Sequence, residues 1–258
     1  MPHPDRETFA GLAPVDHPVL RAIRVRYTPG VQQPGASKRR GRFITVEGPD
    51  GAGKTTQAVA LADHLRGHGI DVVLTREPGG TQLGERIREV LLAGGAAADT
   101  TDLMADALLF NAARRQLVAE VIRPALDAGR TVVCARYADS TMAYQGYGAG
   151  VPLDRLRARE AVATDGLVPD LTILLDLSVE AGLGRKGPDE ITRFEEFDLA
   201  FHRRVRNGFL ALAADAPERF VVIDATRSAN DVATAVNTAA YRLVGSGEPK
   251  PLAARSTR

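Results

Sequence analysis

The sequence predicts an α/β fold, a five-stranded parallel sheet covered by helices on both faces. Three observations predict it. Short apolar runs alternate with stretches of helical periodicity between about residues 42 and 243, and strand–helix alternation with right-handed crossovers makes a parallel sheet. The strand candidates are runs of consecutive apolar residues, as strands buried on both faces must be. The polar motifs all follow strand ends, where such sheets bind ligands.

RFITVEG (42–48) is the first strand, followed by a glycine-rich turn and the helix TTQAVALADHLRGHG. DVVLTR (71–76) is the second, stopped by Pro78-Gly79-Gly80. TQLGERIREVLLAG and a long stretch from Thr101 to Gly129 are helices, the latter kinked or ended at Pro124. TVVCAR (131–136), LTILLDL (171–177) and RFVVIDA (219–225) complete the strands, with helices over 152–164, 178–185, 197–214 and 228–243. Residues 1–40 read as a disordered extension with a short strand or helix near 19–27, and 245–258 as a tail.

The chain has 258 residues, 44% apolar and 25% charged, with a net charge of +1. That balance gives no reason to expect broad binding to nucleic acid or membrane. One cysteine excludes an internal disulfide, and no run has membrane-spanning length or signal-peptide pattern. A cytoplasmic protein is expected. Cys134 reads as a small buried apolar residue, and His64, His68 and His202 as helix-surface residues.

GPDGAGKT (48–55) has the spacing G-x-x-x-x-G-K-[ST] through Gly48, Gly53, Lys54 and Thr55. Glycines let successive N–H groups and a helix N-terminus converge on phosphate. Lys54 then reaches the β/γ oxygens, and Thr55 offers a hydroxyl to Mg²⁺. Gly51 and Thr56 belong to the same ATP cradle. Its place between a strand and a helix makes chance a poor explanation. A GTPase would need N-K-x-D, and a motor ATPase an Asp-Glu pair at a strand end; neither occurs. A kinase for a small acceptor would instead carry arginines for a second phosphate and a cationic lid.

REPGGTQLGERIR (76–88) places Arg76 and Glu77 at a strand end. LLFNAARRQ (108–116) sets Phe110 and Arg114 four apart, on one helix face. ARYADSTMAYQGYG (135–148) brings Arg136, Ser140, Thr141, Tyr144 and Gln145 after the third strand. With PDLTILLDL, RFEEFDLAFHRRVRNGF and FVVIDAT, these stretches closely resemble thymidylate kinase over about residues 42–243. REPGG together with S-x-x-A-Y-Q-G is the specific part.

The resemblance implies a P-loop nucleoside monophosphate kinase fold and transfer of phosphate from ATP to dTMP with Mg²⁺, in a homodimer packed through its long helices. It implies that Asp50 bonds the acceptor's 3′-hydroxyl and that Phe110 stacks on thymine, with Arg114 near base and phosphate. Arg136 would hold the acceptor phosphate, Thr141 the pyrimidine edge, and Tyr144 would crowd the 2′ carbon, with Gln145 beside it. Arg76 and Glu77 would help close the site. The lid would be 185–196, with Arg185, Lys186 and Arg193 as its cations, since Ala52 stands where some members carry a P-loop base.

The chain departs from the family pattern twice. VVCARY (132–137) has Ala135 where the family has an aspartate near the metal. Thr192 replaces a second aspartate in the lid, before Arg193, Phe194 and Glu195. Glu47 and Asp176 end neighbouring strands and are the candidates to compensate. Two other readings follow: a kinase for a different or modified deoxynucleotide, and a nucleotide-binding protein without turnover.

Overall fold

The computed structural model of the protein describes residues 40–92, 102–185, 194 and 197–244. The extension expected over 1–40 (apart from Arg40), the tail expected over 245–258 and most of the lid lie outside them.

The five strands are β1 (Phe43–Glu47), β2 (Val72–Arg76), β3 (Thr131–Ala135), β4 (Leu171–Asp176) and β5 (Phe220–Asp224). They form one sheet in the order β2-β3-β1-β4-β5, every neighbouring pair parallel. Each coincides with a predicted strand to within a residue or two. The helices are α1 (Lys54–Gly67), α2 (Gln82–Leu92), α3 (Leu103–Leu117), α4 (Arg123–Asp127) and α5 (Ala138–Thr141). They continue with α6 (Leu153–Thr164), α7 (Val179–Leu183), α8 (Leu199–Asp215) and α9 (Ala229–Val244). Two start on aspartate caps: Asp102 accepts from the N–H groups of Met104 and Ala105, and Asp198 from Phe201.

Successive strand residues point to opposite faces. Ile44, Val46, Val133, Ala135, Ile173 and Leu175 enter one core with Leu61 and Leu65 of α1 and Val232 and Val236 of α9. Phe43, Val132 and Cys134 enter another, on the opposite face, with Leu117, Ile122 and Tyr137. Leu174 joins a third cluster with Tyr144, Phe201, Val205 and Phe209.

Two details differ from the sequence reading. The long helix expected through Pro124 is interrupted earlier, by a π-helical turn at Val118–Ile122, and restarts at Arg123. Proline lacks an N–H, and at the start of α4 none is needed. The stretch after β3, for which no helix was predicted, is helical throughout: α5 runs into a π-helical segment, Met142–Gly148. Its order comes from packing. A Cβ on Gly148 would lie 2.7 Å from Val205, and one on Gly208 of α8 would lie 2.6 Å from Tyr147. Each glycine leaves room for a side chain of the other segment.

Candidate active site

β1, the central strand, feeds a loop that ends at the first residue of α1, Lys54. Gly51 and Gly53 have φ of 73° and 84°, which side-chain-bearing residues rarely adopt. Gly51 is also pressed against Gly182 of α7, whose carbonyl oxygen lies 1.8 Å from where a Cβ would stand. Lys54 Nζ donates to the Pro49 carbonyl at 2.6 Å, folded back over the loop. Thr55 and Thr56 are exposed on the first turn of α1, and no side chain caps that end at Gly53. The loop and helix end present N–H groups and hydroxyls to an anion.

At the end of β3 the chain turns through Arg136, at φ 68°. Its N–H is tied to the Val46 carbonyl at 3.0 Å. The guanidinium donates to Asp50 Oδ1 at 2.6 Å and lies 5.0 Å above the Tyr144 ring. Tyr144 donates its hydroxyl to Asp50 Oδ2 at 2.7 Å. Asp50, from the phosphate loop, thus joins the loop to both residues expected at the acceptor.

Arg76, buried at the end of β2, donates to Glu85 of α2 at 2.8 Å. Glu85 also accepts from the Gly80 N–H at 2.8 Å, bracing the turn after the cis Glu77–Pro78 bond. Arg88, unremarked in the sequence, approaches the same corner. Burial first, then the charges of Arg76 and Arg136, push its guanidinium down to about 10. Three cations held close enough to repel one another mark a place for an anion.

The segment after β3 is anchored from below. Glu47 accepts from the Tyr137 N–H and the Ser140 hydroxyl, both at 2.6 Å. Asp139 receives two bonds from Arg219, at 2.7 and 2.8 Å. Burial, then the Asp139 charge, pushes the Glu47 carboxyl up to about 7.

Arg114 is enclosed to a depth that its helix spacing does not show. It is 1% exposed, with nitrogens 2.6 Å from both Glu77 and Glu160, and it donates to the Tyr137 carbonyl and to Thr141. Burial opposes its charge, but Glu160 and Glu77 outweigh that and hold it above its ordinary range. Arg114 is therefore a tether between α3, α6 and the Thr141 segment. Glu77, pushed up to about 7 by burial, is committed to the same tether.

Phe110, one turn before Arg114, is half-buried with its ring 6.0 Å from Phe194. Phe194 in turn lies 6.4 Å from Tyr144. Gln145 is buried in the π segment. Arg185, just past α7, donates to the Ala225 carbonyl at 3.0 Å. Lys186, Thr192, Arg193 and Glu195 lie outside the described residues. His64 and His68 are half-buried, edge-on to Tyr241. His202 is not on the helix surface: it is 3% exposed, with Nδ1 3.9 Å from Asp50 Oδ2. Its neighbour Phe201 faces the core, a spacing signal that α8 carries in the sequence. Cys134 is buried as expected, and burial pushes its thiol well up.

The compensation expected of Glu47 and Asp176 fails on geometry. Val46 pairs with Ala135 and with Ile173, all three on the α1 face of the sheet. Glu47 and Asp176 are each one residue out of phase and point to the other face. Glu47 is held by Tyr137 and Ser140, and Asp176 by Arg206 at 2.7 and 2.8 Å. Among the described residues no group of three or more His, Cys, Asp or Glu could hold a metal ion. The Thr55 hydroxyl fits an ion that arrives on nucleotide phosphates, not a resident one.

The sequence model of the thymidylate kinase family matches residues 46–236. A thymidylate kinase of Deinococcus radiodurans is 53% identical over 196 residues, covering 75% of this chain and 93% of that one. One of Thermomicrobium roseum is 51% identical over 211 residues, covering 81% and 99%. The crystal structure of thymidylate kinase from Ehrlichia chaffeensis superimposes with a TM-score of 0.63 at 36% identity, covering 77% of this chain and 97% of that chain. By sequence and by fold, the chain belongs to the thymidylate kinase family.

Proposed function

We propose that the protein transfers the γ-phosphoryl group of ATP to dTMP, giving dTDP and ADP. One observation carries this most directly: Asp50 joins the phosphate loop to Arg136 and Tyr144, so donor and acceptor ends share one carboxylate. An acceptor phosphate oxygen forms the new bond to the γ-phosphorus as the bond to the bridging β,γ oxygen breaks, and ADP leaves. Such a reaction depends on positioning and charge neutralisation.

Gly48, Gly51, Gly53, Lys54, Thr55 and Thr56 hold the ATP phosphates. Arg136, with Arg76 and Arg88 beside it, receives the acceptor phosphate. Arg185 and Arg193 add cations from the lid. Phe110 stacks on the base, Thr141 meets its edge, Asp50 accepts from the 3′-hydroxyl and Tyr144 lies against C2′. Gln145 and Glu77 support that wall. The Thr55 hydroxyl would help hold Mg²⁺ brought by the nucleotide, which would supply charge neutralisation. A homodimer through α3 and a cytoplasmic location complete the reading.

A coupled assay of ADP release with dTMP, for wild type and Ala135→Asp, tests it. Turnover by the wild type is expected. Ala135 favours one second reading, a nucleotide-binding protein without turnover, because Glu47 and Asp176 are both held on the opposite face. Nucleotide binding with no ADP release in either variant would establish that instead.

A further inference from the structure

His64 and His68 stand four residues apart at the end of α1, so their side chains share one helix face. Their ring centroids are 4.6 Å apart, and both rings are nearly perpendicular to Tyr241 of α9, at 5.3 and 5.2 Å. His68 Nδ1 lies 2.8 Å from the His64 carbonyl oxygen. A carbonyl can only accept, so Nδ1 carries the proton and Nε2 keeps its lone pair. The His64 ring has no hydrogen bond among the described residues. Burial, then the neighbouring His68, pushes its imidazole below the ordinary 6.5, which keeps it neutral.

These features suit a metal ion. Two neutral imidazoles at positions i and i+4 of a helix can grip one ion from the same face. A ligating histidine usually gives its other ring N–H to a carbonyl or carboxylate, as His68 does. A nitrogen of each ring at about 2.0–2.1 Å from a shared ion requires rings spaced much as these are. The end of α1 contributes the negative pole of the helix dipole. Arg66, the arginine of that turn, is engaged by Asp63 and the Val72 carbonyl. Imidazole selects Ni²⁺, Cu²⁺ or Zn²⁺ over Mg²⁺, which prefers oxygen. Lys54 opens the same helix about 15 Å away along its axis, so such an ion is separate from one that arrives on a nucleotide.

We propose that His64 and His68 form a two-histidine site for a divalent transition ion of the Ni²⁺ or Zn²⁺ kind, with water completing its shell. The two rings converge only while α1 is helical, so the ion stabilises the folded chain. The site stands independently of the dTMP kinase reading.

The test is thermal unfolding of the full chain, carrying no affinity tag, with Ni²⁺ for wild type, His64→Gln and His68→Gln. At about a hundredfold excess over its Kd, Ni²⁺ should raise the wild-type melting temperature by about 5–10 °C. Calorimetric titration should count one ion per chain. Either substitution leaves a single imidazole and should abolish both the shift and the binding, while Mg²⁺ at the same concentration should give no shift. A wild type that Ni²⁺ does not shift would mean that the rings are only packed against Tyr241, and would overturn the proposal. A shift retained in full by either variant, or matched by Mg²⁺, would overturn it too, because the ion would be held elsewhere. Should a variant fail to fold, the wild type decides alone: paramagnetic Ni²⁺ should broaden the His64 and His68 ring signals first, and sparing them would overturn the proposal.

Discussion

Glu47 and Ala135 end adjacent strands on opposite faces of the sheet. Ala135 pairs with Val46 on the side of α1 and the phosphate loop, and Glu47 turns beneath the segment that follows β3. No rotation of the Glu47 side chain brings it round to Ala135.

A carboxylate restored at that position should act where neither Glu47 nor Asp176 can. Ala135→Asp is expected to lower the Mg²⁺ concentration for half-maximal activity about 10- to 100-fold, the usual worth of a metal-site partner. Asp176→Asn should leave that concentration unchanged, because Asp176 is bound to Arg206 on the other face. A Mg²⁺ titration of initial rates reads both; a shift with Asp176→Asn would contradict the strand phase.

Arg136 forms an ion pair with Asp50, and the proposed reaction puts it at the junction of the two phosphate sites. Arg136→Ala should lower kcat by on the order of 10²–10³-fold, as for loss of one electrostatic stabiliser. Arg136→Lys should recover only part, since an ammonium cannot reproduce the planar fork. Initial rates at saturating substrates decide it.

The Arg114 tether should matter to stability before it matters to catalysis. Glu160→Ala leaves a guanidinium that is 1% exposed with one carboxylate fewer, and is expected to cost about 3–5 kcal/mol. Urea unfolding followed by circular dichroism measures this. A loss below about 1 kcal/mol, the worth of a surface pair, would mean that the bridge is solvated.

Glu47 predicts a pH dependence. Its carboxyl has an ordinary value of 4.5 and is pushed up to about 7 in the fold by burial. Below 4.5 it is protonated in both states, and its contribution to stability is fully present. As pH rises towards 7 the unfolded chain ionises first, so stability falls, by roughly 3 kcal/mol in all. Glu77, raised for the same reason, titrates in the same window. Melting temperatures between pH 5 and 8 should therefore decline for the wild type and decline less for Glu47→Gln. Equal slopes would show that Glu47 is ionised throughout.

The strands were legible because each is an apolar run bounded by glycine, proline or a polar motif. Burial on both faces explains such runs in the inner strands, while the edge strand β5 leaves Val221 and Val222 exposed. The phosphate loop was legible because its glycines and lysine are contiguous. Phe110 and Arg114 share a helix face, as their spacing requires, but spacing is silent on depth. Only the approach of Glu77 from β2 and Glu160 from α6 shows that Arg114 is enclosed. The helix of residues 138–148 was not legible. Its sequence is short, polar and glycine-bearing, and it is held by Glu47, Arg219 and the close contact with α8.

The sequence by itself determined the sheet, its parallel sense, the phosphate cradle and the family, all of which follow from local runs and contiguous motifs. The tertiary structure alone decided which carboxylates can reach which cations. Strand phase turned Glu47 and Asp176 away from Ala135, and helix packing brought His202 to Asp50 from 152 positions along the chain. Such pairings depend on direction and burial, which a linear pattern does not carry.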